Sequence, residues 1–337
     1  QIAISDPLLI HRLISPTGHV SAVDAMLSLP DENVTESLAE LITASRELAS
    51  EFEARYPNFD LYVSGMAPFN NAFDEIANQD AERLMPVMMI VVLILVSALL
   101  RSFAAAGITL TIVVLGVAAT FGIVGLLGIE LNSINTAAPT IILTLAVADC
   151  VHLLSHFLMR LKQGDDKLAA MKYSLDTNIL PVFLTSFTTT IGFLSMNFSD
   201  SPPFRALGTI AALGVALTFI FSITLLPQLA IWLTRKIPAQ DLEHSNSFDH
   251  LASFTIKHQN TLFWGTLLVA FSCMAFIPQN ELNDDNIEYF SKNVDIRQAA
   301  DFAEKNLTGV NIIEHSLSSG ETNGINSVEF LATVSDF

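Results

Sequence analysis

The sequence predicts a polytopic α-helical membrane protein flanked by water-exposed α+β domains. Three observations predict it. Of the 337 residues, 51% are hydrophobic and only 15% charged, against about 25% charged in an ordinary globular domain. The charges are also segregated: long apolar runs fill residues 84–233, and the two ends are polar and acidic. Finally, six separate segments reach the roughly 17–25 apolar residues that a helix needs to cross a bilayer.

The six spans run over residues 84–100, 104–127, 137–159, 180–198, 204–233 and 261–277. Pro86 and Pro181 fall at the openings of the first and fourth, where a first helical turn tolerates proline. Pro227 predicts a bend in the fifth. Three of the connecting loops carry eight basic residues between them: Arg101; Arg160, Lys162, Lys167 and Lys172; Arg235, Lys236 and Lys257. The alternate loops, 128–136 and 199–203, carry none. The positive-inside rule places the basic loops in the cytoplasm and both ends outside. Ala118-x-x-x-Gly122 and Gly208-x-x-x-Ala212 are small-residue pairs of the kind that let membrane helices approach, although small residues are common in such helices anyway.

The ends explain the net charge of −18: residues 1–83 carry four Arg, no Lys and 14 acids, and residues 278–337 carry three basic residues and 11 acids. A nucleic-acid partner is excluded by that balance. Both cysteines, Cys150 and Cys273, lie in apolar runs, so they report nothing about redox compartment. Residues 8–29 read as two strands about a turn at Ser15–Gly18, residues 34–55 as a helix, residues 61–65 as a strand and residues 68–83 as a helix entering the first span. That β-β-α-β-α order suits a ferredoxin-like sandwich. At the far end, residues 296–307 read as a helix and residues 328–334 as a strand. Residues 247–257 read equally as an amphipathic surface helix or a linker.

One constellation carries chemistry. Asp149 lies mid-span in Leu145-Ala-Val-Ala-Asp149-Cys-Val-His152-Leu-Leu-Ser-His156. An ionisable group at helix centre costs about 2.5–3.5 kcal/mol on insertion scales and marks an ion or proton path. His152 and His156 follow at i+3 and i+7 on the same face. A carboxyl in that setting can hold a proton and release it when its hydration changes, and a histidine one turn away can accept it near neutral pH. The alternatives are structural: a hydrogen bond from Asp149 to a neighbouring helix, an interior His152 that orients it, and a headgroup-level His156. In the fourth span, Ser186-Phe-Thr188-Thr189-Thr190 offers hydroxyls that either support the relay or bond their own i−4 carbonyls. A metal site is not expected from these residues, no cofactor is expected besides protons as coupling ion, and the sequence contains no Walker Gly-Lys-Ser/Thr loop to point to ATP.

Several stretches resemble the resistance–nodulation–division (RND) superfamily, in particular its MMPL-type exporters: Gly128-Ile-Glu-Leu-Asn-Ser-Ile-Asn-Thr136, Thr144-Leu-Ala-Val-Ala-Asp149-Cys-Val-His-Leu, Pro181-Val-Phe-Leu-Thr-Ser-Phe-Thr-Thr-Thr-Ile-Gly-Phe193, Asn197-Phe-Ser-Asp-Ser-Pro-Pro-Phe-Arg-Ala-Leu-Gly208 and Asn286-Ile-Glu-Tyr-Phe290. The resemblance implies a partial RND-type fold of two repeats. On that layout residues 1–83 are the C-terminal part of a first periplasmic domain, 84–233 a five-helix membrane block and 234–260 a cytoplasmic linker. Residues 261–277 are then the first helix of the second repeat and 278–337 the start of a second periplasmic domain, so both ends are expected to be truncations. It further implies proton-driven export across a bacterial inner membrane, with Asp149 as the proton carrier. Many drug-efflux members carry two adjacent acids there; Ala148 precedes Asp149 here, which favours the MMPL-like branch and a lipid or other hydrophobic substrate. Homo-oligomers or periplasmic partner proteins fit the same layout. Two further readings of the membrane block are a lipid or sterol sensor without pumping and a proton-driven protein-translocation accessory.

Overall fold

A computed structural model describes residues 9–26, 28, 30, 34–234, 246–281, 285–308, 317–321 and 324–336. Ten α-helices are formed among them: α1 Val34–Arg55, α2 Met66–Leu100, α3 Phe103–Leu126, α4 Ala138–Lys162, α5 Lys167–Leu194, α6 Pro202–Leu233, α7 Asn246–Lys257, α8 Gln259–Ala275, α9 Asp295–Asn306 and α10 Val328–Asp336. Six of these, α2 to α6 and α8, are long and apolar enough to cross a membrane. The chain is therefore a multi-pass membrane protein.

Two compact units divide the chain. One comprises residues 1–72 and 283–337, the other residues 73–282. In the first, α1 buries Leu38, Ile42 and Ala49, and α9 buries Ile296, Ala299 and Ala300. Tyr62 stacks on Phe302 with ring centroids 4.3 Å apart, and Phe69 meets Phe290 edge-on at 5.4 Å.

The expected α+β sandwich does not form, because no strand exists among the described residues. Around the turn at Ser15–Gly18 two ladder bonds do close, from Ser15 N–H to Val20 O at 2.9 Å and from Ala22 N–H to Leu13 O at 2.7 Å. They amount to isolated bridges, since a two-stranded ribbon without a third strand or a packed face is marginal. Residues 60–64 form no strand, and the Leu61 N–H is taken by Glu53 Oε1 at 2.8 Å. The expected strand at 328–334 is helical: Ser327 Oγ accepts the Phe330 N–H at 3.2 Å and Glu329 lies in the first turn, so a capped N-terminus overrides the β-branched residues.

The membrane unit is a bundle in which α3, α4, α5 and α6 pack on one another, and α2 adds Val96 and Leu100 to their core. Toward the basic loops the core is Ile108, Ile112, Leu153, Phe157 and Leu226; at the other end it is Val124, Ala138 and Ile210. Helix α8 buries none of its residues.

Helix ends differ from the hydropathy spans. Helix α5 starts at Lys167, well before residue 180, because Asp166 caps it by accepting the Ala169 N–H at 3.2 Å. Its leading turns bury Ala170, Met171, Ser174 and Asn178. Hydropathy sees only the lipid-crossing part of such a helix, so Lys167 and Lys172 lie on α5 and not in a loop. Pro86 and Pro181 consequently sit inside α2 and α5, and α6 runs without interruption through Pro227.

Only two residues separate α2 from α3. Arg101 makes the turn with φ +49°, a left-handed conformation that costs a non-glycine residue about 1–2 kcal/mol. Ser102 then caps α3, accepting the Ala105 N–H at 3.2 Å.

Helices α3 and α6 meet through a reciprocal seam. A Cβ on Gly116 would overlap the Thr218 methyl, and a Cβ on Gly214 would overlap Ile142 and come within 3.3 Å of Thr120 Oγ1. Gly116-x-x-x-Thr120 thus faces Gly214-x-x-x-Thr218 in antiparallel order. Of the small-residue pairs expected from sequence, Gly208 makes a close contact, with Phe193 O 2.5 Å from where its Cβ would stand; Gly122 has open space.

Candidate functional site

The α4–α5 interface places polar groups inside the bundle. On α5, Ser174, Asn178 and Ser186 lie four and eight residues apart and share one face, and all are buried. Each reaches α4. Ser174 Oγ donates to Leu153 O at 2.6 Å, Asn178 Nδ2 lies 3.0 Å from His156 Nδ1, and Ser186 Oγ donates to Asp149 Oδ2 at 3.1 Å.

Asp149 is 5% exposed. Among the described residues no lysine, arginine or histidine pairs with it, and Ser186 is its hydrogen-bond donor. A hydroxyl suits a carboxyl that changes protonation, because it donates to the ionised form and can donate or accept with the acid. Next to Asp149, Cys150 is fully buried with its Sγ 4.0 Å from Ser222 Oγ on α6, and Thr109 of α3 lies beside it. Polar side chains from four helices therefore converge on one turn of α4.

The other sequence-predicted residues fall in different places. His152 is exposed on α4 and makes no hydrogen bond to Asp149. His156 is half-buried; its Nδ1 lies 3.0 Å from the Asn178 amide and 3.2 Å from His152 O. The ring nitrogen bonds the amide donor when bare and the carbonyl when protonated, so the two contacts belong to different tautomers. Thr188 is exposed and donates to Leu184 O at 2.8 Å, and Thr190 donates to Ser186 O at 2.7 Å. Thr189 is half-buried. The threonine hydroxyls whose bonds are defined thus return to their own helix, and Ser186, at the head of the same run, is the group that reaches Asp149. Its helical phase was the available signal: Ser186 lies on the face of Ser174 and Asn178, two residues away from Thr188. No three His, Cys, Asp or Glu side chains gather as metal ligands among the described residues.

At the opposite end of α4, the loop before it is a knot of side chains. Asn132 Oδ1 accepts the N–H groups of Ile134 and Asn135 at 3.1 Å, and Asn135 Oδ1 accepts the Asn132 N–H at 2.7 Å. Ser133 hydrogen-bonds Asp74 of α2. These bonds fix the start of α4.

Comparison with known proteins identifies relatives of the chain. The chain is 26% identical over 181 residues to a membrane protein of Methanocaldococcus jannaschii, covering 54% of this chain and 47% of that protein. It is 22% identical over 312 residues to the siderophore exporter MmpL5 of Mycobacterium tuberculosis, covering 90% and 32%. It is 22% identical over 225 residues to the multidrug resistance protein MdtC of Pectobacterium atrosepticum, covering 66% and 21%. The chain spans less than half the length of each of these relatives. The profile of the MMPL family matches residues 2–270, four-fifths of the sequence, and the chain belongs to that family, within the RND superfamily.

Proposed function

We propose that the chain is part of a secondary active exporter, driven by the proton-motive force, that moves lipids or other hydrophobic compounds across a bacterial inner membrane. The observation that carries the reading is Asp149: a carboxyl buried mid-span, held by the Ser186 hydroxyl across a helix interface. A group of that kind is expensive in a bilayer and characteristic of proton and ion pathways. The names of two relatives, a siderophore exporter and a multidrug resistance protein, support export as the activity.

In this mechanism Asp149 takes a proton from one side and gives it up on the other as its hydration alternates. The proton's gain or loss changes the hydrogen bond with Ser186 and so the fit of α4 against α5. His156, ordered by Asn178 toward the basic loops, is the next stop for the proton; His152 lies on the exposed face of α4. The basic loops face the cytoplasm and both acidic ends the periplasm.

Proton-gradient-driven movement of a labelled lipid panel in proteoliposomes, with the intact protein and its Asp149→Asn variant, tests the reading. Asn keeps shape and hydrogen bonding but carries no titratable proton. Gradient-dependent transport is expected in the parent and absent in the variant. Transport preserved in Asp149→Asn would sink the relay, and none in either protein would favour a lipid sensor.

A further inference from the structure

We infer that the basic-loop end of the bundle holds a binding site for the phosphate headgroup of an anionic phospholipid, separate from the Asp149 site. The site is a cavity of about 290 Å³ where α2, α3, α4 and α6 end together, lined by Arg101, Ser102, Lys162 and Thr234 with Leu158 and Leu233. At roughly 30 Å³ per water, that space exceeds a bare phosphate and accommodates a phosphoglycerol group.

Four features of the cavity suit a phosphodiester. Arg101 and Lys162 supply two positive charges, and among the described residues neither is paired with an acid. Their neighbour Arg160 is engaged differently, with Asp165 at 2.6 Å and over the Tyr173 ring. Thr234 is 5% exposed and lines the cavity, where its hydroxyl can donate to an anion. The first turn of α3 adds backbone donors: Ser102 takes up the N–H groups of Ala105 and Ala106, leaving those of Phe103 and Ala104 without a helical acceptor. Finally, Arg101 itself holds φ +49°. Glycine would take that conformation without strain, yet the position carries a cation, and strained side chains gather at functional sites.

Membrane depth and wall chemistry select a lipid over a soluble phosphate. The cavity sits at the ends of membrane-spanning helices, and its remaining wall is leucine and alanine, which suits the glycerol and first acyl carbons. Basic pockets between membrane helices on the positively charged side are the usual form of such headgroup sites.

Native mass spectrometry of the intact protein with added phosphatidylglycerol or phosphatidylcholine tests the site. The parent is expected to retain phosphatidylglycerol in preference. Arg101→Gly and Lys162→Gln should each lower that preference about fivefold, and Thr234→Val about twofold to fivefold. Arg101→Gly preserves the turn, so its melting temperature in detergent should match or exceed that of the parent. The charge-matched pair Lys172→Gln and Lys257→Gln, on exposed faces of α5 and α7, should leave the preference unchanged. An equal loss in that control pair would reduce the effect to a diffuse basic rim and overturn the site. So would an unchanged preference in Arg101→Gly and Lys162→Gln. Displacement of the lipid by millimolar inorganic phosphate would make it a soluble-anion site and overturn the lipid assignment.

Discussion

The α3–α6 seam keeps its hydroxyls within each helix, whereas the α4–α5 seam sends them across the gap. Thr120 donates to Gly116 O and Thr218 to Gly214 O, so neither polar group depends on the partner helix and the two helices meet by shape alone. In α4–α5, Ser174, Asn178 and Ser186 each bond the opposite helix. A shape seam is insensitive to protonation. A seam that includes a carboxyl and an imidazole changes its own bonding when either gains or loses a proton. The bundle thus pairs an inert joint with a titratable one.

Four substitutions test this contrast. The largest effect belongs to Asp149→Asn, expected to bring gradient-driven transport to background while expression, membrane insertion and melting temperature in detergent stay close to those of the parent. Gly214→Val comes next. Its side chain would collide with Ile142 of α4 and crowd Thr120 of α3, and overpacking of this kind costs about 1–3 kcal/mol, so a clear drop in melting temperature is expected, with transport per folded molecule retained. A normal melting temperature in Gly214→Val would show that the seam is looser than it looks. Ser186→Ala strips Asp149 of its donor. Stability should fall by about 1–3 kcal/mol, and transport per folded molecule should fall as well, which separates this position from Gly214. Smallest is Thr218→Val, which loses only a bond within its own helix and should change stability by less than about 0.5 kcal/mol in thermal denaturation, leaving transport intact.

Legibility in the sequence followed the strength of the physical signal. Apolar length made all six membrane helices readable, and a charge amid apolar residues made Asp149 readable, because each signal is local. The leading turns of α5 were not readable by hydropathy: Ala170, Met171 and Ser174 bury themselves against protein, and their amphipathic spacing looks like a basic loop. Choosing Ser186 over Thr188, Thr189 and Thr190 requires the rotation of α5 about its axis relative to α4, which is set by packing. His152 fails for the same reason, since sharing a helix face with Asp149 is too coarse at three residues' separation to guarantee a shared environment. The strands expected in the soluble ends failed because alternation specifies a strand only where a partner strand pairs with it.

The reciprocal arrangement of Gly116, Thr120, Gly214 and Thr218 fixes axial position as well as distance. A slide of α6 along α3 by one turn, about 5.4 Å, would bring Thr120 against Thr218 in one direction and against Ile210 in the other, and neither leaves a glycine beneath the threonine. The pair behaves as a keyed shaft with a single allowed setting. In the proposed transport cycle, α3 and α6 then supply a fixed datum against which the movement of other parts is measured.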